Sequence, residues 1–152
     1  MKKLLAAAAV VATGTTGAMA SDAVGPTAVA FEDGAVTASL TSQAGDPAEG
    51  AKVFMNRKLG NCLACHINAD MEEQPFHGEV GPALDGVGDR WSEAELRGIV
   101  SNSKEMFPDT IMPAFYREDG FNRTLDKFDG KTILSAQQVE DVVAYLLTLK
   151  EN

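Results

Sequence analysis

One short stretch, Cys62-Leu63-Ala64-Cys65-His66, constrains this chain more than any other part of its sequence. Two thiols three positions apart can reach the two vinyl groups at one edge of a porphyrin and form thioethers, and the histidine that follows can then ligate the iron. The pattern is typical of covalent attachment of a c-type haem. Both cysteines of the sequence lie in this motif, so no thiol remains for another use.

Three other interpretations of the cysteine pair compete with haem attachment. A thioredoxin-like redox motif needs a βαβ setting, whereas the residues before Cys62 have a helical pattern. A structural zinc site usually takes its ligands as two separated pairs, whereas His66 adjoins the second cysteine and His77 lies in a later loop. A disulfide across so short a loop would add little stability. One haem c, covalently attached, is therefore the predicted cofactor.

The N-terminus has the three parts of an export signal. Lys2 and Lys3 supply positive charge, residues 4–12 form an apolar run too short to cross a bilayer, and residues 18–20 fit a cleavage site. We expect cleavage after Ala20 and a periplasmic mature protein. No later stretch is long enough for a membrane helix, so we expect no membrane span in that mature protein.

The net charge of the chain is −9 at pH 7. An acidic surface argues against nucleic acid as a partner, because nucleic-acid phosphates require cations. The charge is compatible with docking to a basic protein and equally with simple solubility.

We divide the chain into a signal peptide (1–20), an extended N-terminal arm (21–45) and one domain (46–152). The arm is rich in small residues without helical periodicity, and its place on the core, on a partner or as a mobile tail stays open. The first helix of the domain is predicted from Pro47 to about Lys58, with Asp46 as its N-cap and Gly60 after its end.

Two further helices begin at capping boxes. Ser92 and Glu95 predict a helix that ends near Asn102, and Ser135 and Gln138 predict one over 136–150 with an apolar stripe. We expect this last helix to pack on the first helix, with Gly50 permitting close approach and Phe54 meeting Tyr145. Residues 81–88, which precede the helix that begins after Ser92, turn tightly. Residues 103–133 form a long, aromatic-rich loop suited to cover a haem.

The second axial ligand of the iron is predicted from the remaining methionines. Met106 and Met112 both lie far enough from the motif to cross the ring, and Met112 is favoured because Pro113 stiffens the chain just after it. His77 is the other option, although a surface loop histidine is the simpler interpretation. A methionine ligand would indicate electron transfer, whereas an open iron site would indicate gas binding or catalysis.

From Asp46 onward the chain resembles class I cytochromes c. The resemblance lies in Gly50 and Phe54 of the first helix, the haem motif, residues 81–90, the Met-Pro pair and the final Val-Ala-Tyr-Leu. It implies an all-α fold with helices around one haem. It also implies that the Pro82 carbonyl accepts a hydrogen bond from the haem histidine and that Arg90 reaches a haem propionate.

Within that family, residues 90–99, 110–116 and 130–146 are similar to SoxX, the monohaem subunit family of periplasmic SoxAX complexes. This likeness implies a larger haem-containing SoxA-like partner and a downstream cytochrome acceptor. It also implies a shared L-cysteine S-thiosulfotransferase activity, in which this chain transfers electrons and is not catalytic alone. A free-standing periplasmic electron carrier and a sensor with an open iron site are the alternative functions.

Overall fold

The structure is a computed structural model and describes residues 23–151. The predicted export signal at 1–20 lies outside the described residues. Four α-helices form within them: α1 (Pro47–Met55), α2 (Val87–Arg90), α3 (Glu93–Asn102) and α4 (Ala136–Leu146). The same residues hold no strand apart from one isolated bridge, and none of their helices is long and apolar enough to cross a membrane. The predicted all-α class is confirmed.

Helix α1 begins as predicted but ends earlier. The Asp46 carboxylate accepts hydrogen bonds from the first free N–H groups of the helix, at 2.8 and 3.3 Å. The helix ends at Met55 because Asn56 starts a turn, in which its side chain accepts the N–H of Lys58 at 2.9 Å. Gly60 is therefore not the helix cap. It is buried, and a Cβ there would lie 2.9 Å from the carbonyl oxygen of Val53.

The contact between α1 and α4 is confirmed in detail. A Cβ on Gly50 would lie 1.9 Å from the carbonyl oxygen of Asp141, so only glycine allows this approach. The rings of Phe54 and Tyr145 meet edge to face, with 5.4 Å between their centroids. The turn Cys62–Ala64, which carries the first cysteine of the motif, packs against α1 of this helix pair.

Helices α3 and α4 both begin at the predicted capping boxes, in which side chain and backbone bond reciprocally. Helix α3 ends at Asn102 as expected, whereas α4 ends at Leu146, four residues early. The chain after Leu146 turns so that the carbonyl of Leu149 accepts the N–H of Gly88 at 3.0 Å. This bond ties the C-terminus to the unpredicted short helix α2.

The N-terminal arm lies on the core. Val36 and Leu40 are buried, at 2% and 1% exposure. The N–H of Leu40 donates to the Glu140 carboxylate at 2.7 Å, and the guanidinium of Arg97 donates to the carbonyl of Val36 at 3.0 Å. Because Arg97 also bonds Glu140 at 2.8 Å, one buried ion pair joins the arm to α3 and α4. The domain boundary at residue 46 stays a prediction.

The long loop 103–133 divides into two parts. Phe115 and Tyr116 are buried, and the N–H of Ile133 returns to the carbonyl of Phe115 at 3.0 Å. The excursion between them exposes Phe121 and Phe128, so those two aromatics of the predicted covering loop do not contribute to an apolar wall. Their rings stack instead under neighbouring cations of the same excursion.

Candidate functional site

A cavity of about 860 Å³ lies between the Cys62–His66 motif, α3 and the loop that contains Met112. Most of its wall is apolar, with side chains from three helices and the long loop: Phe54, Leu96, Val100, Phe115, Val142 and Leu146. All six of the predicted site residues line it, namely Cys62, Cys65, His66, Pro82, Arg90 and Met112. The structure thus brings together residues that are up to fifty positions apart in sequence.

The motif forms its side of the cavity through local geometry. Asn61 adopts a left-handed conformation (φ 49°) and starts a 3₁₀ turn over Cys62–Ala64. The N–H groups of Cys65 and His66 then both bond to the carbonyl of Cys62, at 3.1 and 3.0 Å. This compact turn presents both thiols and the imidazole to the same cavity.

The ring of His66 is oriented from behind. Its Nδ1 lies 2.7 Å from the carbonyl oxygen of Pro82, so Nδ1 carries the proton and donates, and Nε2 is left with its lone pair. Gly81 lies directly against the ring, where a Cβ would be 2.4 Å from Cε1. Glycine at position 81 therefore lets the chain pass directly beside this imidazole.

Met112 and Met106 are placed differently. Met112 is half-buried and lines the cavity. Met106 does not line it and packs against the turn at Gly34 in the arm, where an added Cβ would lie 2.7 Å from the Met106 Cβ. The cavity thus has His66 and Met112 among its wall residues, whereas Met106 belongs to the contact with the arm.

Arg90 lies at the cavity with an exposed side chain. Its guanidinium donates to the carbonyls of Ala83, at 3.0 Å, and Asp85. Arg57 and Lys58 also line the cavity, and the sequence analysis gave neither a role at the site. The only feature of the sequence that could have indicated their place at the site is their position just before the motif. Among the residues that the structure describes, those lining the cavity include no aspartate or glutamate.

The competing interpretations of the cysteines fit the structure poorly. Burial raises the pKa of the Cys62 thiol to about 12, which is opposite to the lowered pKa of a redox-active cysteine. His77 does not line the cavity. Its Nε2 donates instead to the carbonyl of Met71 at 3.0 Å. Within residues 23–151, no three histidine, cysteine or acidic side chains cluster to hold a metal ion.

The family model described as "Cytochrome c" matches residues 47–150. This chain belongs to the cytochrome c family. In the crystal structure of SoxXA from P. pantotrophus, one chain is 51% identical to this cytochrome, with a TM-score of 0.80. The match covers 85% of this cytochrome and 99% of that chain.

Two further solved structures are more distantly similar to this cytochrome. The c-type cytochrome SorU from Sinorhizobium meliloti is 27% identical over 70% of this chain and 95% of its own, with a TM-score of 0.45. Ferric cytochrome c-550 from Paracoccus versutus is 22% identical over 70% and 98%, with a TM-score of 0.40. No curated protein matches the chain at a significant level.

The residues present fit the haem c that this cytochrome binds covalently. Most of the cavity wall is apolar, Cys62, Cys65 and His66 all line it, and Gly81 lacks the Cβ that would push the imidazole aside. The class I cytochrome c fold and the predicted cofactor are thus both confirmed.

Proposed function

We propose that this cytochrome is the monohaem electron-transfer subunit of a periplasmic SoxXA-type complex. The observation that carries the proposal is the 51% identity to a chain of SoxXA, which extends over 99% of that chain. The likeness includes residues outside the cytochrome c match, since 85% of this chain is covered. The similarity in residues outside the cytochrome c domain favours a specialised subunit over a free-standing carrier.

In the proposed site, Cys62 and Cys65 would hold the haem through thioethers, and His66 and Met112 would ligate its iron. The Pro82 carbonyl fixes the orientation of the His66 ring, so that Nε2 would be the nitrogen available to the metal. Arg90 lies at the cavity, where its charge suits a propionate. When bound, the haem accepts and releases one electron at a time.

The proposed reaction of the complex couples thiosulfate to a cysteine of a carrier protein. The sulfur–sulfur bond forms as the thiol loses its proton, and two electrons are released. This chain has one haem motif and would hold a single one-electron carrier, so it would pass an electron to a downstream cytochrome twice for each coupling. Both cysteines of this chain lie in the motif, so the reacting cysteine belongs to another protein. The L-cysteine S-thiosulfotransferase activity therefore belongs to the complex.

The test uses the haem-loaded chain, a SoxA-type partner and an acceptor cytochrome. With thiosulfate and the carrier protein present, we expect the acceptor to be reduced only when both subunits are present. The chain should also elute together with the partner from a sizing column. Rapid acceptor reduction by this chain alone would overturn the assignment, and separate elution would favour a free-standing carrier.

A further inference from the structure

The peptide groups on both sides of Met112 are fixed by hydrogen bonds that ligation by its side chain does not explain. Its carbonyl oxygen accepts the hydroxyl of Ser103 at 3.0 Å and also the ammonium group of Lys104. Its N–H donates to the hydroxyl of Thr110 at 3.2 Å. The backbone of Met112 is thus held from two directions while the residue lines the cavity.

Ser103 is the buried anchor of this arrangement. It is fully buried, at 0% exposure, in the 3₁₀ turn Ser103–Glu105 that directly continues α3. The segment that it holds is exposed: Ile111 is 80% exposed, and Pro113 is exposed as well. An exposed segment has few contacts of its own to fix its position, so its link to the end of α3, together with the buried residues that follow from Ala114, fixes where Met112 lies.

We infer that Ser103, together with Lys104, positions Met112 as the sixth ligand by fixing its carbonyl oxygen to the end of α3. This inference rests on the proposed ligation by Met112. The hydrogen bonds favour the ligated arrangement of the loop over one in which the thioether has left the iron. An external ligand that displaces Met112 must therefore also overcome the free energy that these hydrogen bonds contribute to the ligated arrangement.

The size of the effect follows from one hydrogen bond. A typical net contribution corresponds to a factor of about five in an equilibrium constant. Ser103→Ala should therefore let imidazole displace Met112 from the ferric iron at an about fivefold lower concentration. Ser101→Ala is the matched control, because Ser101 is equally buried on α3 and its hydroxyl has no hydrogen-bond partner among the described residues.

The experiment titrates the haem-loaded ferric proteins with imidazole and follows the weak long-wavelength absorption of methionine-ligated haem. Wild type and Ser101→Ala should give the same midpoint, Ser103→Ala a lower one, and Ser103→Thr, which keeps the hydroxyl, a midpoint near wild type. A Ser103→Ala midpoint equal to that of Ser101→Ala would overturn the inference. Ser101→Ala controls for the removal of a buried hydroxyl at this end of α3, and Ser103→Thr controls for a change of side chain at position 103 with the hydroxyl retained.

Two further variants keep the result interpretable. Met112→Ala should lack the long-wavelength absorption before any imidazole is added. If Met112→Ala keeps that absorption, the proposed ligand is wrong, which is a different failure from an unchanged Ser103→Ala midpoint. If Ser103→Ala fails to fold, Lys104→Met removes the second donor at a half-buried position. It should lower the midpoint too, and an unchanged midpoint would overturn the inference.

Discussion

Replacing Glu140 by alanine removes the carboxylate that joins the N-terminal arm to the helices. This carboxylate accepts the N–H of Leu40 at 2.7 Å and the Nε of Arg97 at 2.8 Å. Glu140 is 4% exposed and Arg97 is 2% exposed, so water cannot replace the lost partner. Breaking a buried pair by removing one partner costs about 3–5 kcal/mol, and because Arg97 keeps its ion pair with the exposed Glu93 we expect the lower end, about 3 kcal/mol. That is a large share of the roughly 5–15 kcal/mol that stabilises a typical domain.

The assay is chemical denaturation of the haem-loaded protein. We expect Glu140→Ala to lower the midpoint by an amount equivalent to that cost, without a large change in slope. The control is Lys52→Ala, which breaks the bridge to Glu49 (2.6 Å) between side chains that are 67% and 54% exposed. An exposed pair of this kind contributes about 0–1 kcal/mol, so the control should differ little from wild type.

Two observations separate the proposed cause from a general loss of packing. Cleavage by a protease within residues 23–45 should become faster in Glu140→Ala, because Leu40 loses its anchor. Replacing Arg97 and Glu140 together by methionine should recover part of the stability, since no buried charge is then left unpaired, whereas the Leu40 N–H and the Val36 carbonyl still lose their partners. If Glu140→Ala is no less stable than Lys52→Ala, the buried ion pair does not hold the arm, and the reasoning is refuted.

Three further predictions follow from single contacts. Gly50→Ala should cost about 1–3 kcal/mol or more, because its Cβ would meet a carbonyl oxygen of α4 at 1.9 Å. Gly25→Ala has nothing within 4 Å and should leave the denaturation midpoint unchanged. Met112→Ala should lower the reduction potential measured by redox titration, whereas Met106→Ala should not. Hydrogen bonds from the N-cap serine lower the pKa of Glu95, so its contribution to stability is present above the usual glutamate pKa and is lost in more acidic solution. The difference in unfolding free energy between wild type and Glu95→Gln should therefore shrink as the pH falls from 7 to roughly 3, and a constant difference would contradict this origin.

The elements that the sequence predicted well are those specified by neighbouring residues. Both capping boxes, the start of α1 at Pro47 and the haem motif depend on side chains within three or four positions of one another. The ends of α1 and α4 were wrong by three and four residues. The end of α4 is followed by a tertiary contact, the bond between Leu149 and Gly88, that no local pattern encodes, whereas α1 ends at a local turn of Asn56 that the helical pattern concealed.

The two sides of the cavity differ in the same way. The motif fixes Cys62, Cys65 and His66 by spacing alone, whereas the choice between Met106 and Met112 rested on one proline. The structure separates the two methionines because Gly34 of the arm meets Met106, and the arm had no assigned position in the sequence analysis. The buried ion pair that holds the arm was equally out of reach, since arginine and glutamate are rarely buried.

Charge shows most clearly why composition could not describe the site. The chain has a net charge of −9, and that value is compatible with a basic partner and equally with simple solubility. At the cavity, however, Arg57, Lys58 and Arg90 are the charged residues, and no acidic residue of the described chain lines it. Exposed charges are screened within about 10 Å in ordinary salt, so charges that line the cavity act more strongly on a group in it than carboxylates farther away do. The charged residues that line the cavity thus have the opposite sign to the net charge of the molecule.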